Sequence, residues 1–187
     1  MQDIQRVLDF WFRAEDHPDY GKPRPEWFKK DSKFDDTIKQ QFLFLFVKAK
    51  EGQLLYWTES KNGCLALILL FDQFSRNMFR DTPDAFATDG KALEIARLMI
   101  SSGFFDELAS FQKTFAALPF EHSESLQDQK KSMELFKDFG DENAVNYAER
   151  HFDIVEKFGR FPHRNDILGR HSTDDEIAFL SQPNSSF

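Results

Sequence analysis

The sequence predicts an all-α fold, a single compact bundle of antiparallel helices spanning residues 1–187. Three observations carry that prediction. Apolar residues recur at spacings of three and four along most of the chain, the period of a helix with one buried stripe. No Asn-Gly or Asp-Gly dipeptide joins two alternating runs, so no hairpin is signalled. Ser, Thr, Asp and Gly stand where helix starts and stops are needed. A chain of 187 residues and 22.0 kDa buries roughly 70% of its unfolded surface, so one domain with one core suffices.

Taken in order, IQRVLDFWF is a short amphipathic helix, followed by a proline-rich loop from His17 to Trp27. Ser32 is read as the cap of a helix with apolar positions Phe34, Ile38, Phe42, Leu45 and Ala49, ended by Gly52. A long helix follows from Asn62 to Phe79. Thr82 before Pro83 pairs a cap with proline at the first helical position, and the segment runs to Ser102 and stops at Gly103. Less regular helix covers 105–118, then come helices over 124–139 and 142–158, parted by Gly140 with Asp141 as cap. The last helix opens with a capping box, Thr173 reaching Glu176, and ends before Pro183. No low-complexity stretch and no fixed-period repeat interrupts this order.

Composition narrows the function classes. A net charge of -8 and a pI near 5.1 leave no electrostatic footprint for a phosphate backbone, so no nucleic-acid partner is expected. The longest apolar run, CLALILLF, falls far short of the about 20 residues of a membrane span. The opening MQDIQRVLDFWF has no basic region ahead of a cleavage site. A cytoplasmic protein without membrane contact is the expectation. Cys64 is the sole cysteine and sits in that apolar run, which reads as an inert core thiol and excludes multi-thiolate metal sites. Phenylalanine, with 23 copies, makes the core one of large flat rings, and Trp11, Trp27, Tyr56 and Trp57 are read as packing the N-terminal half.

Helical wheels place polar groups on faces that should be buried. In the helix from 62 to 79, Leu67, Phe71, Phe74 and Met78 form the core stripe, and Asp72 and Arg76 continue a second apolar face begun by Leu65 and Leu69. Four residues apart, they can pair, and the pair is expected to be largely buried. The helix from 124 to 139 brings Ser125, Asp128, Gln129 and Ser132 onto its apolar half. In the helix from 142 to 158, His151 lies among Ala144, Tyr147, Ala148, Ile154, Val155 and Phe158. Buried polar groups must find one another or water, so Asp72, Arg76, Asp128 and His151 are expected in one connected network.

Two segments add chemistry. Glu121, His122 and Glu124 combine imidazole with carboxylate, the pairing used for metal binding and for proton transfer, but zinc-helix and di-iron spacings are missing, so no metal is expected. FGRFPHRNDILGR, from 158 to 170, concentrates Arg160, His163, Arg164, Asn165 and Arg170 between aromatic rings and bends. Arginine forks suit carboxylate or phosphate, so this stretch reads as an anion clamp, with Arg160, His163 and Arg164 converging on Glu121 or His122. A clasp that ties the C-terminal segment to acidic neighbours uses the same residues. Nucleophile elbows, phosphate-cradling glycine loops and dinucleotide fingerprints are absent, and no cofactor is implied.

VLDFWF, LALILLFDQFSRNMFRDTPDAFATDGKAL, LPFEHSESLQDQ and HFDIVEKFGRFPHRNDILGRHSTDDEIAFL, in this order and spacing, resemble the bacterial domain of unknown function numbered 924. The resemblance covers nearly the whole chain. It implies an all-α domain of the tetratricopeptide-like grouping whose signature blocks lie around Asp72, Arg76, Glu121, His122, Asp128, His151, Arg160, His163 and Arg164, and it supplies no catalytic assignment. Three readings of these residues follow. The first is a binding or interaction module whose polar site holds an anionic small molecule or an acidic peptide group. The second is a small enzyme with His122 or His151 as general base, Asp72, Glu121 or Asp128 orienting it, and arginines stabilising charge. The third is a purely structural network.

Overall fold

The protein, described by a computed structural model over residues 1–27, 29–183 and 185, is helical throughout, with no strand among the described residues. The elements are α1 (Gln2–Phe12), α2 (Ser32–Lys50), α3 (Lys61–Ile68), a π-helical segment (Leu69–Phe74), α4 (Ser75–Met78), α5 (Asp89–Ser101), α6 (Ser110–Glu121), α7 (Leu126–Phe139), α8 (Glu142–Phe158) and α9 (Asp174–Leu180). No helix among the described residues is long and apolar enough to cross a membrane.

The rod formed by α3, the π segment and α4 runs through the middle, flanked by α1, α2, α5 and α6. From Gly63 to Phe71 it is apolar on every side and buried, as Leu65, Leu67, Ile68, Leu69 and Leu70 require. Aromatic rings fill the space around it. Trp11 meets Phe115 edge-on at 5.5 Å and Phe74 at 5.4 Å, while Phe42 and Phe74 lie 4.9 Å apart. Such tilted and T-shaped contacts set the positive ring edge against the negative face. Close approach also fixes Gly63, since a Cβ there would stand 2.0 Å from the Trp57 carbonyl.

Several boundaries differ from the sequence expectation, each for a local reason. Asp31, not Ser32, caps α2, because its extended backbone lets the carboxylate accept from the Lys33 and Phe34 N–H groups. The segment expected as one helix from Thr82 is a 3-10 turn over Pro83–Ala85 followed by α5. The Thr88 hydroxyl is drawn away to donate to the Phe71 carbonyl at 2.6 Å, and α5 begins only at Asp89. The irregular helix expected over 105–118 is α6, which begins at Ser110. Tyr56, expected in the core, is 61% exposed, and Leu126 and Tyr147 also face outward. The capping box of α9 and the Asp141 cap of α8 stand as expected.

A smaller apolar cluster of Ile154, Val155 and Phe161, with Phe158 and Phe179 against it, anchors the C-terminal segment. Gly159 takes φ of 68°, the left-handed closure that ends α8 and turns the chain back over the bundle.

Candidate functional site

A widened turn of helix positions the first group. Over Leu69–Phe74 the backbone is π-helical, a geometry that weakens the regular ladder and recurs at functional sites. The Phe71 carbonyl accepts from the Ser75 hydroxyl at 2.7 Å and from Thr88. In this segment Asp72 is fully buried. Its Oδ1 lies 2.7 Å from His122 Nδ1 and 3.1 Å from Arg76 Nη1, and Gln73 Nε2 donates to Oδ2 at 2.6 Å. Burial alone would raise the Asp72 carboxyl. The charge of Arg76, and then His122, outweighs it and holds the group well below the usual carboxylate range.

Arg76 extends the cluster. Its fork donates to both Asp89 oxygens at 2.9 and 3.0 Å, joining α4 to the first residue of α5. An acidic group is favourable at that helix start in any case. Arg164 Nη1 reaches the same Asp89 at 3.5 Å. Its guanidinium is sandwiched between Phe86, 4.8 Å from the ring centroid, and Phe161, at 4.5 Å. The side chain is 8% exposed, and Nε has no partner among the described residues. Burial, and then repulsion from Arg76, lower its pKa to about 10. Arg164 therefore stays charged at neutral pH with unused donors.

His122, Arg164 and Asp89 line one cleft of about 330 Å³. Glu124 and Ser123 are also among its polar lining, and Pro83, Phe86, Leu93, Pro119 and Leu168 among its apolar lining. With Nδ1 of His122 against the ionised Asp72, that nitrogen carries the proton and Nε2 presents a lone pair. Burial depresses the His122 pKa more than Asp72 restores it, so the ring is neutral at pH 7.

The stretch carrying Arg164 is held by two other arginines. Arg170 grips Glu124 at 2.7 and 2.9 Å, and Glu124 accepts the Phe161 N–H at 2.8 Å. Arg160, expected at the clamp, instead forks onto Glu176 at 2.6 and 2.7 Å, the residue that closes the α9 capping box. Of the sequence-derived candidates, Asp72, Arg76, His122 and Arg164 thus come together. Glu121 and His151 pair behind them, Nδ1 to Oε1 at 3.4 Å, with His151 donating to the Tyr147 carbonyl at 2.8 Å. Burial, then the Asp72 charge, lifts Glu121 to about 8, and burial pushes His151 down to about 3, so this pair is neutral at pH 7. Asp128 forms a separate link, bonded to Arg97 and to the Ser123 hydroxyl at 2.8 Å, so the single network expected for it divides into neighbouring parts. His163 lies with its ring 5.6 Å from Phe161, and burial lowers its pKa to about 4. Asp89, Phe86 and Gln73 are not singled out by the sequence, and Glu124, read there as a metal or acid-base candidate, is taken up by Arg170. Only the Thr-Asp-Gly start signal at 88–90 could have pointed to Asp89. No group of three or more His, Cys, Asp or Glu among the described residues is arranged to hold a metal ion.

Comparison with known proteins follows the same outline. Residues 7–184 match the family described as bacterial protein of unknown function, DUF924. A solved structure of the protein of unknown function ATU0120 from Agrobacterium tumefaciens is similar at 37% identity, with a TM-score of 0.87, covering 96% of this chain and 97% of that one. Among curated proteins, none matches.

Proposed function

The chain belongs to the DUF924 family of bacterial proteins of unknown function, and we propose that its activity resides in the Arg164 cleft, as a binding site for a small anionic molecule. The observation that carries this reading is Arg164 itself. A charged guanidinium that is 8% exposed, with one long contact to Asp89 and an unused Nε, is an arrangement a fold built only for stability avoids, because burying a charged group with its donors incompletely bonded is costly. Arg160 and Arg170, by contrast, have their forks filled by Glu176 and Glu124, although Arg170 shares the unpartnered Nε. Contact with two aromatic rings restrains the Arg164 guanidinium, and a restrained guanidinium suits bidentate capture of carboxylate or phosphate.

The test is a thermal-shift screen of carboxylates and phosphate monoesters. A ligand at a hundred times its Kd contributes about 2.7 kcal/mol, a rise of roughly 5–10 °C in Tm for a domain of this size. Arg164→Met should abolish the shift while keeping the apolar stem between Phe86 and Phe161. A shift that survives Arg164→Met places the anion elsewhere.

One observation favours a second reading, in which the bound molecule is also transformed. The Asp72–His122 pair is an oriented imidazole with a free lone pair on the cleft, the geometry of a general base. Hydrolysis of aryl esters or aryl phosphates that disappears in both His122→Gln and Asp72→Asn would support it, and no turnover in the wild-type protein would end it.

A further inference from the structure

The cleft has a lining part apolar and part polar and a charge count that closes without a ligand, and both constrain what enters. Its lining combines Pro83, Phe86, Leu93, Pro119 and Leu168, all apolar, with His122 and Arg164, and the Arg164 guanidinium lies over the Phe86 ring. A bare inorganic anion would leave the apolar lining in water. Among the charged groups, Asp72 and Asp89 already balance Arg76 and Arg164, and Glu124 balances Arg170. An incoming carboxylate therefore adds a negative charge that no fixed cation offsets. The group able to answer it is the neutral His122, whose Nε2 can take a proton while Nδ1 stays on Asp72.

Resting on the anion-binding reading, we infer that the cleft takes an amphipathic monoacid, an acyl or aryl carboxylate seated with its head on Arg164 and its chain along Phe86 and Leu168, and that seating is coupled to uptake of one proton by His122. The proton comes from solvent, where an O–H bond of hydronium or a buffer-acid bond breaks as the Nε2–H bond forms, and the new N–H donates to the carboxylate. Around His122 the groups that bear on this step are Asp72 from the π segment, Arg76 from α4, Asp89 from α5, Glu121 beside it, His151 from α8, and His163 and Arg164 from the C-terminal stretch. Among these, burial keeps His151 and His163 neutral and Glu121 protonated at pH 7, so His122 is the one placed on the cleft with a proton to gain. Dianionic phosphates would need a second added positive charge, which the cleft does not hold.

The experiment is titration calorimetry of the whole chain with hexanoate, acetate, hexyl phosphate and hexanol, in two buffers of different ionisation enthalpy between about pH 6 and pH 8, a range over which a carboxylate stays ionised. Hexanoate should bind at least about tenfold tighter than acetate from the burial of its extra methylenes, and hexanol should not compete. Hexanoate affinity should fall as pH rises, with proton uptake approaching one at the acid end. His122→Gln, which keeps a donor for Asp72, should bind more weakly and without pH dependence. Acetate equal to hexanoate, preference for hexyl phosphate, or wild-type binding with no proton uptake would each overturn the inference while leaving an anion site intact. Absence of binding by every probe would overturn the anion-site reading, and this inference with it.

Discussion

Arg76→Met removes the cation that joins two carboxylates, and the cost can be worked from their surroundings. The fork on Asp89 involves groups about a fifth exposed, so solvent screens what is lost there. The contact to Asp72, 3.1 Å from Arg76 Nη1, is different, because that carboxylate is fully buried and keeps only His122 and Gln73 once Arg76 is gone. Orphaning a buried charge typically costs about 3–5 kcal/mol, equivalent to a fall in Tm of roughly 10 °C for a domain of this size. The pH dependence has a definite sign. In the wild type the folded-state pKa of Asp72 is depressed, so its contribution is present above the ordinary carboxylate pKa and lost as pH falls through the folded value. In the variant burial dominates and raises that pKa, so Asp72 can relieve its penalty by protonating, and the gap to wild type should narrow from pH 7 toward pH 5. Urea unfolding followed by circular dichroism measures both effects, and Asp72→Asn in the Arg76→Met background should recover much of the loss. A deficit below about 1 kcal/mol, the size of a surface pair, or a double variant no better than the single one, would refute the buried-pair argument.

Glu121 carries a second pH effect. Its pKa of about 8 in the fold lies above the unfolded value, so its contribution declines as pH rises between the two. Between pH 6.5 and 8 the unfolded histidines still release protons, so the effect is read as a difference: in urea titrations wild-type stability should fall by about 1.5 kcal/mol relative to Glu121→Gln, in which the histidines titrate alike, and equal slopes would contradict the protonated state. Thr88→Val keeps shape but removes the hydroxyl donating to the π-segment carbonyl of Phe71 at 2.6 Å, and should cost about 1–2 kcal/mol by chemical denaturation, no change meaning the carbonyl needs no such donor. Arg160→Ala should loosen α9, seen as faster amide exchange over Asp174–Leu180, without altering anion affinity, since its fork is spent on Glu176; a lost affinity would return Arg160 to the site.

What the sequence determined by itself was whatever depends on local period and on transfer from water. Spacing of apolar residues gave the helices, and the Thr173–Glu176 box and Asp141 gave two of their starts, because capping is settled within four residues. Wheel positions alone put Asp72, Asp128 and His151 in the interior, and all three are buried, since a polar residue on an apolar stripe has nowhere else to go. The division of labour among the arginines was not legible. Arg160, Arg164 and Arg170 share one stretch and one chemistry, yet Glu176 and Glu124 fill two of the forks while Arg164 is left between two phenyl rings. That outcome depends on which acid arrives opposite each arginine, a long-range property of packing. The π turn at Leu69–Phe74 is of the same kind. Its Phe71 carbonyl is satisfied by Ser75 in the same rod and by Thr88 from a different element, and the neighbouring Arg76 together with His122, brought in from the end of α6, makes a buried Asp72 tolerable where a local reading sees an ordinary helix.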